Sequence, residues 1–247
     1  MTCINMGCSI SSLVFQPPTP KKVNSPYSLF LETSDHNLIP SKYFNLNNEF
    51  TILMSHGNAE DITRVEGWVT KSLLKNIKAN VLIYEYSGYH NRHINPNENF
   101  VYNDSEAAFS FLVNTLRIPS TKIILYGRSL GSGPTCYLAQ KYEVGGIILQ
   151  TPLSSIYRVV LDFRFTLPGD MFPNIDRISK IACPMLVIHG TRDEIVPMQH
   201  SVDLFEASKS KIKSHYYVEG AGHNNIETIA GSKLFERMQF FLDNLKN

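Results

Sequence analysis

The sequence predicts an α/β fold: a mostly parallel, twisted sheet of about eight strands, with helices on both faces and a small cap inserted late in the chain. Three observations lead there. Short apolar runs of strand length alternate with stretches whose apolar residues recur every three to four positions. Such alternation implies parallel strands joined by crossover helices. At one junction, Ile123–Tyr126, the segment Gly127-Arg-Ser129-Leu-Gly131 and a helical run place strand, G-x-S-x-G and helix in immediate succession. Residues with chemical potential farther on follow strand ends, where open α/β sheets place their sites.

The bulk properties fit one domain. A chain of 247 residues with 43% hydrophobic and 18% charged residues can bury a core and is not disordered by composition. Net charge is +1, which gives no electrostatic case for a nucleic-acid partner. The four cysteines are too few and too scattered for a disulfide scaffold, so a reducing compartment is expected. No apolar run reaches the ~18 residues needed to span a bilayer. Leu13-Val-Phe15 is too short for a secretory signal core. Without His-x-x-x-His or Cys-x-x-Cys spacing, no metal is expected, and no cofactor.

In chain order, residues 1–26 read as a tail and 27–247 as the domain. The tail holds Cys3, Cys8, the proline-rich Gln16-Pro-Pro-Thr-Pro20 and Lys21-Lys22. It reads either as a disordered extension or as a lipidated membrane anchor. Two acylated cysteines with nearby basic residues would suffice to hold a membrane surface. Ser28–Leu31 and Lys42–Leu46 read as short strands, and Phe50–Ser55 as a buried one ending in His56-Gly-Asn-Ala-Glu-Asp61. Asp61 suits the N-cap of a helix with Ile62, Val65, Val69 and Leu73 on one face. Val81–Tyr84, Gly146–Leu149, Met185–Ile188 and His215–Val218 complete the strands. A helix with Ala108, Phe111 and Leu112 on its inner face precedes the G-x-S-x-G strand. Residues 155–180, apolar but broken by Pro168, Gly169 and Pro173, read as the cap. Ile226–Leu245 is expected to close the chain as one amphipathic helix.

Ser129 is the candidate nucleophile. The turn around it is tight enough to need glycine on each side, and it lifts the hydroxyl above the sheet. A serine hydroxyl needs a base, and the base needs an orienting acid. Asp193 follows the Met185–Ile188 strand and His223 follows the next, giving the order Ser, Asp, His. Glu194 is the rival acid, less suited because its longer side chain is freer. His56 and His189 are rival bases, each before a glycine at a strand end, where histidine commonly packs against turns. The oxyanion hole needs two N–H donors. Leu130, after the nucleophile, supplies one, and Asn58, in the loop after Phe50–Ser55, supplies the other, with Ala59 second.

Ser55-His-Gly-Asn-Ala-Glu-Asp61, Tyr86-Ser-Gly-Tyr89, Tyr126-Gly-Arg-Ser-Leu-Gly131, His189-Gly-Thr-Arg-Asp-Glu194 and Glu219-Gly-Ala-Gly-His-Asn224 together resemble one branch of the α/β-hydrolases. That branch is the α/β-hydrolase domain-containing 17 group, thioesterases that remove palmitate from membrane-associated proteins. The resemblance covers roughly residues 27–245 and implies the α/β-hydrolase fold. Its catalytic trio falls on Ser129, Asp193 and His223. It further implies an S-acylated protein or lipid-like acyl substrate and a peripheral place on the cytosolic face of a membrane. A lysophospholipase or general carboxylesterase is the alternative within enzymes, and a catalytically silent membrane adaptor the alternative outside them. Two departures stand out. The family's dense N-terminal cysteine cluster is reduced to Cys3 and Cys8, and the turn after Tyr89 runs His90-Asn-Arg-His93.

Overall fold

The strands are β1 (Leu29–Glu32), β2 (Leu38–Phe44), β3 (Phe50–Ser55), β4 (Ala79–Tyr84), β5 (Ile123–Arg128), β6 (Gly146–Gln150), β7 (Met185–Gly190) and β8 (Lys213–Val218). In the computed structural model, which describes residues 14–19, 27, 29–90, 93–161 and 168–246, they form one sheet in the order β1-β2-β4-β3-β5-β6-β7-β8. β2 pairs antiparallel with both β1 and β4, and every pairing from β4 to β8 is parallel. Parallel strands covered on both faces are buried throughout and largely apolar, as in Phe50-Thr-Ile-Leu-Met-Ser55, where every residue is buried.

The period of two sorts those side chains into two cores. Ile52, Met54, Ile124, Tyr126, Leu186 and Ile188 face one side, with α1 (Ile62–Trp68) and the C-terminal helices. Leu53, Ile123, Leu125, Met185 and Val187 face the other, with α2 (Glu98–Ser110) and α3 (Ser132–Lys141). Asp61 caps α1 as expected, its carboxylate accepting the Arg64 N–H at 2.9 Å. α1 continues through a wider π-type turn, Val69–Leu73.

Further along lie α4 (Ile156–Leu161), α5 (Asn174–Ile178), α6 (Gln199–Ala207), α7 (Ile226–Ala230) and α8 (Ser232–Asn244). Several features differ from the sequence reading. β2 begins at Leu38, because Pro40 and Ser41 interrupt its apolar pattern while Ile39 and Ser41 are nevertheless buried. α6 is absent from the sequence reading, and its buried positions are His200, Ser201 and Leu204. The C-terminal helix breaks at Gly231, whose φ of 54° ends α7 and lets α8 start in a new direction. Val14 and Phe15 lie on the tail side of the expected boundary yet are buried against the domain, Phe15 edge-on to Phe172 at 6.1 Å. Cys3 and Cys8 lie outside the described residues.

Candidate active site

The site is assembled at the carboxyl ends of β3, β5, β7 and β8. β5 turns into α3 at Ser129, a non-glycine residue held at φ 52°. That left-handed conformation is strained for a residue with a Cβ and persists only where surroundings enforce it. Here they do. A Cβ on Gly127 would sit 2.5 Å from the Gly131 carbonyl oxygen, and one on Gly131 would collide with the Ser55 carbonyl. Both glycines are therefore required by backbone packed against backbone.

The sequence-predicted trio comes together. His223 Nε2 lies 3.0 Å from Ser129 Oγ, and His223 Nδ1 lies 2.7 Å from Asp193 Oδ2. Asp193 is buried and fully engaged. Its Oδ1 accepts the backbone N–H groups of Ile195 at 2.9 Å and Val196 at 2.8 Å. Its Oδ2 also stands 3.1 Å from His189 Nε2. Burial alone would raise the Asp193 pKa. Hydrogen bonds from His189 and His223, the charge of His223 and the Val196 N–H outweigh burial and hold the carboxyl well below its usual range. Glu194, the rival acid, points to solvent.

The rival histidines have structural partners. His189 Nε2 lies 2.8 Å from the Val196 carbonyl, which can only accept, so this nitrogen carries the proton. His189 Nδ1 then accepts from Ser201 Oγ at 2.6 Å. The result is a second histidine against Asp193, which sequence reasoning missed. His56 is buried between the Gly57 carbonyl at 2.9 Å and Glu85 Oε1 at 2.9 Å. Burial disfavours charge on His56, but the Glu85 carboxylate and the Gly57 carbonyl offset that and raise its pKa. This buried His56–Glu85 pair anchors the loop that follows β3. Glu85 extends the anchor, its Oε2 accepting the Ile62 N–H at 2.9 Å.

Asn58 lies in that loop, and it and Leu130 both line a cavity of about 620 Å³ shared with Ser129 and His223. The cavity's other walls include Val14, Leu153, Ile156, Val159, Val160 and Val196, with Glu60 and Arg128 among its polar residues, so it is largely apolar. The Asn58 side chain does not face a reacting group. Its Nδ2 donates to the Val14 carbonyl at 2.5 Å, and its Oδ1 accepts from the Gln16 N–H at 2.8 Å and Tyr89 Oη at 2.6 Å. Asn58 thereby straps the segment around Phe15 onto the site. The turn Tyr86–Tyr89 supports this loop from below, with Tyr86 Oη donating to the His56 carbonyl at 2.8 Å. His90 is exposed and does not line the cavity.

Chemically, the arrangement can move a proton from a serine hydroxyl to an imidazole that a fixed carboxylate orients, beside an apolar cavity. Among the described residues no cluster of three or more His, Cys, Asp or Glu side chains could hold a metal. No helix among them is long and apolar enough to cross a membrane.

Comparison with known proteins agrees with the fold and the motifs. The family profile described as serine aminopeptidase, S33, matches residues 170–227. The chain is 40% identical over 202 residues to the α/β-hydrolase domain-containing protein 17B of Xenopus tropicalis and to that of Homo sapiens, covering 81% of this chain and 69% of each relative. Among solved structures, the esterase Pf2001 of Pyrococcus furiosus superposes with a TM-score of 0.76 at 16% identity, covering 93% of this chain and 97% of that one. The chain belongs to the α/β-hydrolase domain-containing protein 17 family and has the α/β-hydrolase fold.

Proposed function

We propose that this chain is a serine hydrolase that cleaves acyl thioesters, removing palmitate from S-acylated cysteines of membrane-associated proteins. One observation carries the reading: the Ser129–His223–Asp193 relay opens on an apolar cavity. Ser129 Oγ attacks the acyl carbonyl while His223 Nε2 takes its proton, and Asp193 orients the ring and stabilises the imidazolium. The backbone N–H groups of Leu130 and Asn58 receive the oxyanion, each worth about 3 kcal/mol of barrier. His223 then protonates the leaving thiolate, and water repeats the cycle on the acyl-enzyme.

The substrate class rests on family and cavity together. Part of the expected cap, residues 162–167, lies outside the described residues; from its described part, Ile156, Val159 and Val160 form the wall against which an acyl chain would lie. The tail, with Cys3 and Cys8, would bring the enzyme to the cytosolic face of a membrane, where such acyl chains are anchored. The test compares wild type with Ser129→Ala on a palmitoyl-thioester peptide and its oxygen-ester counterpart. Serine-dependent turnover favouring the thioester is expected. A preference for the oxygen ester would instead make the protein a lipase or carboxylesterase, and turnover unaffected by Ser129→Ala would remove the mechanism.

A further inference from the structure

The two oxyanion donors come from different parts of the chain, Asn58 from the loop after β3 and Leu130 from the turn after β5. Their separation must be held to a fraction of an ångström for both to reach one oxygen. Between them stands Glu60. Its Oε2 accepts the Gly57 N–H at 2.7 Å, and its Oε1 accepts from Arg128 Nη1 at 2.5 Å. Gly57 immediately precedes Asn58, and Arg128 immediately precedes Ser129. The two side chains are largely withdrawn from solvent, Arg128 17% and Glu60 22% exposed. The loop also closes on itself, with the Glu60 N–H donating to the Gly57 carbonyl at 3.3 Å.

The fit is close at Gly57. A Cβ there would lie 2.9 Å from Glu60 Oε2 and 3.7 Å from the Arg128 carbonyl oxygen. The loop therefore rests directly on the nucleophile turn with the carboxylate wedged beside it. The charge of Glu227, whose carboxylate accepts from Gln150 Nε2 at 2.8 Å, also favours the Arg128 cation. We propose that Glu60 is a positioning residue, its carboxylate clamping the β3 loop to Arg128 so that the Asn58 and Leu130 N–H groups keep the spacing an oxyanion requires. The role rests on the hydrolase reading above and deepens it. It also assigns a function to the x of the G-x-S-x-G motif: Arg128 is one jaw of the clamp.

The experiment uses the full chain as wild type, Glu60→Leu, Glu60→Gln, Arg128→Met and Ser129→Ala. Each is measured for kcat and KM on a soluble acyl thioester, for melting temperature, and for affinity for a trifluoromethyl ketone bearing the same acyl group. The ketone forms an anionic tetrahedral adduct on the serine and so reports the oxyanion site. Loosening one donor should lower kcat about 100-fold in Glu60→Leu. KM should stay within about threefold, since the ground-state carbonyl uses the donors weakly. Ketone affinity should fall in parallel with kcat. Glu60→Gln keeps an acceptor for Gly57 and should fall less. Arg128→Met reads the same clamp from the other jaw should Glu60→Leu not fold.

Wild-type kcat in a folded Glu60→Leu overturns the positioning role alone. Glu60 and Arg128 also line the cavity, so a raised KM with unchanged kcat overturns the positioning role and leaves Glu60 only its place in that wall. Wild-type turnover no greater than that of Ser129→Ala overturns the underlying hydrolase reading instead.

Discussion

Asp193→Asn gives the sharpest test of the relay, because the structure dictates how the new amide must sit. Oδ1 of Asp193 accepts two backbone N–H groups, so an amide nitrogen cannot take its place without opposing both donors. The nitrogen is therefore forced into the Oδ2 position, facing His223 Nδ1 and the protonated His189 Nε2. It would donate to His223 Nδ1 and drive the ring into the tautomer with its proton on Nε2. That nitrogen, 3.0 Å from Ser129 Oγ, could then no longer accept the hydroxyl proton. A wrong tautomer in an intact site costs about 10⁴-fold in kcat. The assay is thioester turnover and the rate of fluorophosphonate labelling, beside a melting curve. The acid limb of stability should change as well. The lowered pKa of Asp193 adds stability fully present above the ordinary carboxylate pKa of about 3.9 and lost as pH falls below it towards the folded value. The variant should lack that acid-induced loss. Turnover within about tenfold of wild type, together with its loss in Glu194→Gln, would refute the choice of acid.

Three further outcomes follow from other parts of the molecule. Asp104 is buried, its carboxylate accepting the Ser87 N–H and Oγ, each at 2.7 Å; burial, reinforced by Glu85 and Asp35, lifts its pKa from 3.8 to about 7 despite those bonds. A raised folded pKa gives stability that is full below the unfolded value and lost as pH rises through 7, on the order of 4 kcal/mol. Asp104→Asn keeps the shape and both contacts, since the Ser87 hydroxyl can reverse, and should flatten melting temperature against pH between 4 and 8. Each methylene buried in the apolar cavity contributes about 0.8 kcal/mol, so shortening the acyl chain by two carbons should lower kcat/KM roughly tenfold while the chain still lies within it. Flat kcat/KM across a chain-length series would exclude the cavity as the acyl site. Phe15→Ala removes a buried ring and should cost about 3 kcal/mol by denaturant melting, with loss of chain-length discrimination as Val14 leaves the cavity wall.

Much of the site was legible in the sequence because its constraints are local. Gly127 and Gly131 are demanded by contacts within the turn and with the neighbouring strand end, so spacing alone pointed to Ser129. Strand ends placed Asp193 and His223, and the parallel sheet then brought those ends to one edge. The apolar strands were equally plain, since burial on both faces leaves a continuous hydrophobic run. α6 was not plain, because two of its three buried positions, His200 and Ser201, are polar, and Ser201 serves to hold His189.

Long-range pairings between polar residues left no such trace. Nothing adjacent to Glu60 in sequence marks it for Arg128, 68 residues away, and nothing in Gln16-Pro-Pro marks its backbone for the Asn58 amide. Both pairings converge on the same short loop. One fixes Gly57 from the nucleophile side, the other fixes the Asn58 side chain from the N-terminal side, and the His56–Glu85 pair holds the loop's root. A loop held at three points can present its N–H groups without reorganising as charge develops, which is what electrostatic stabilisation of an oxyanion requires. It also joins the Val14–Gln16 stretch to the loop beside Ser129. The Val14 carbonyl is bonded to the same residue whose N–H is proposed for the oxyanion.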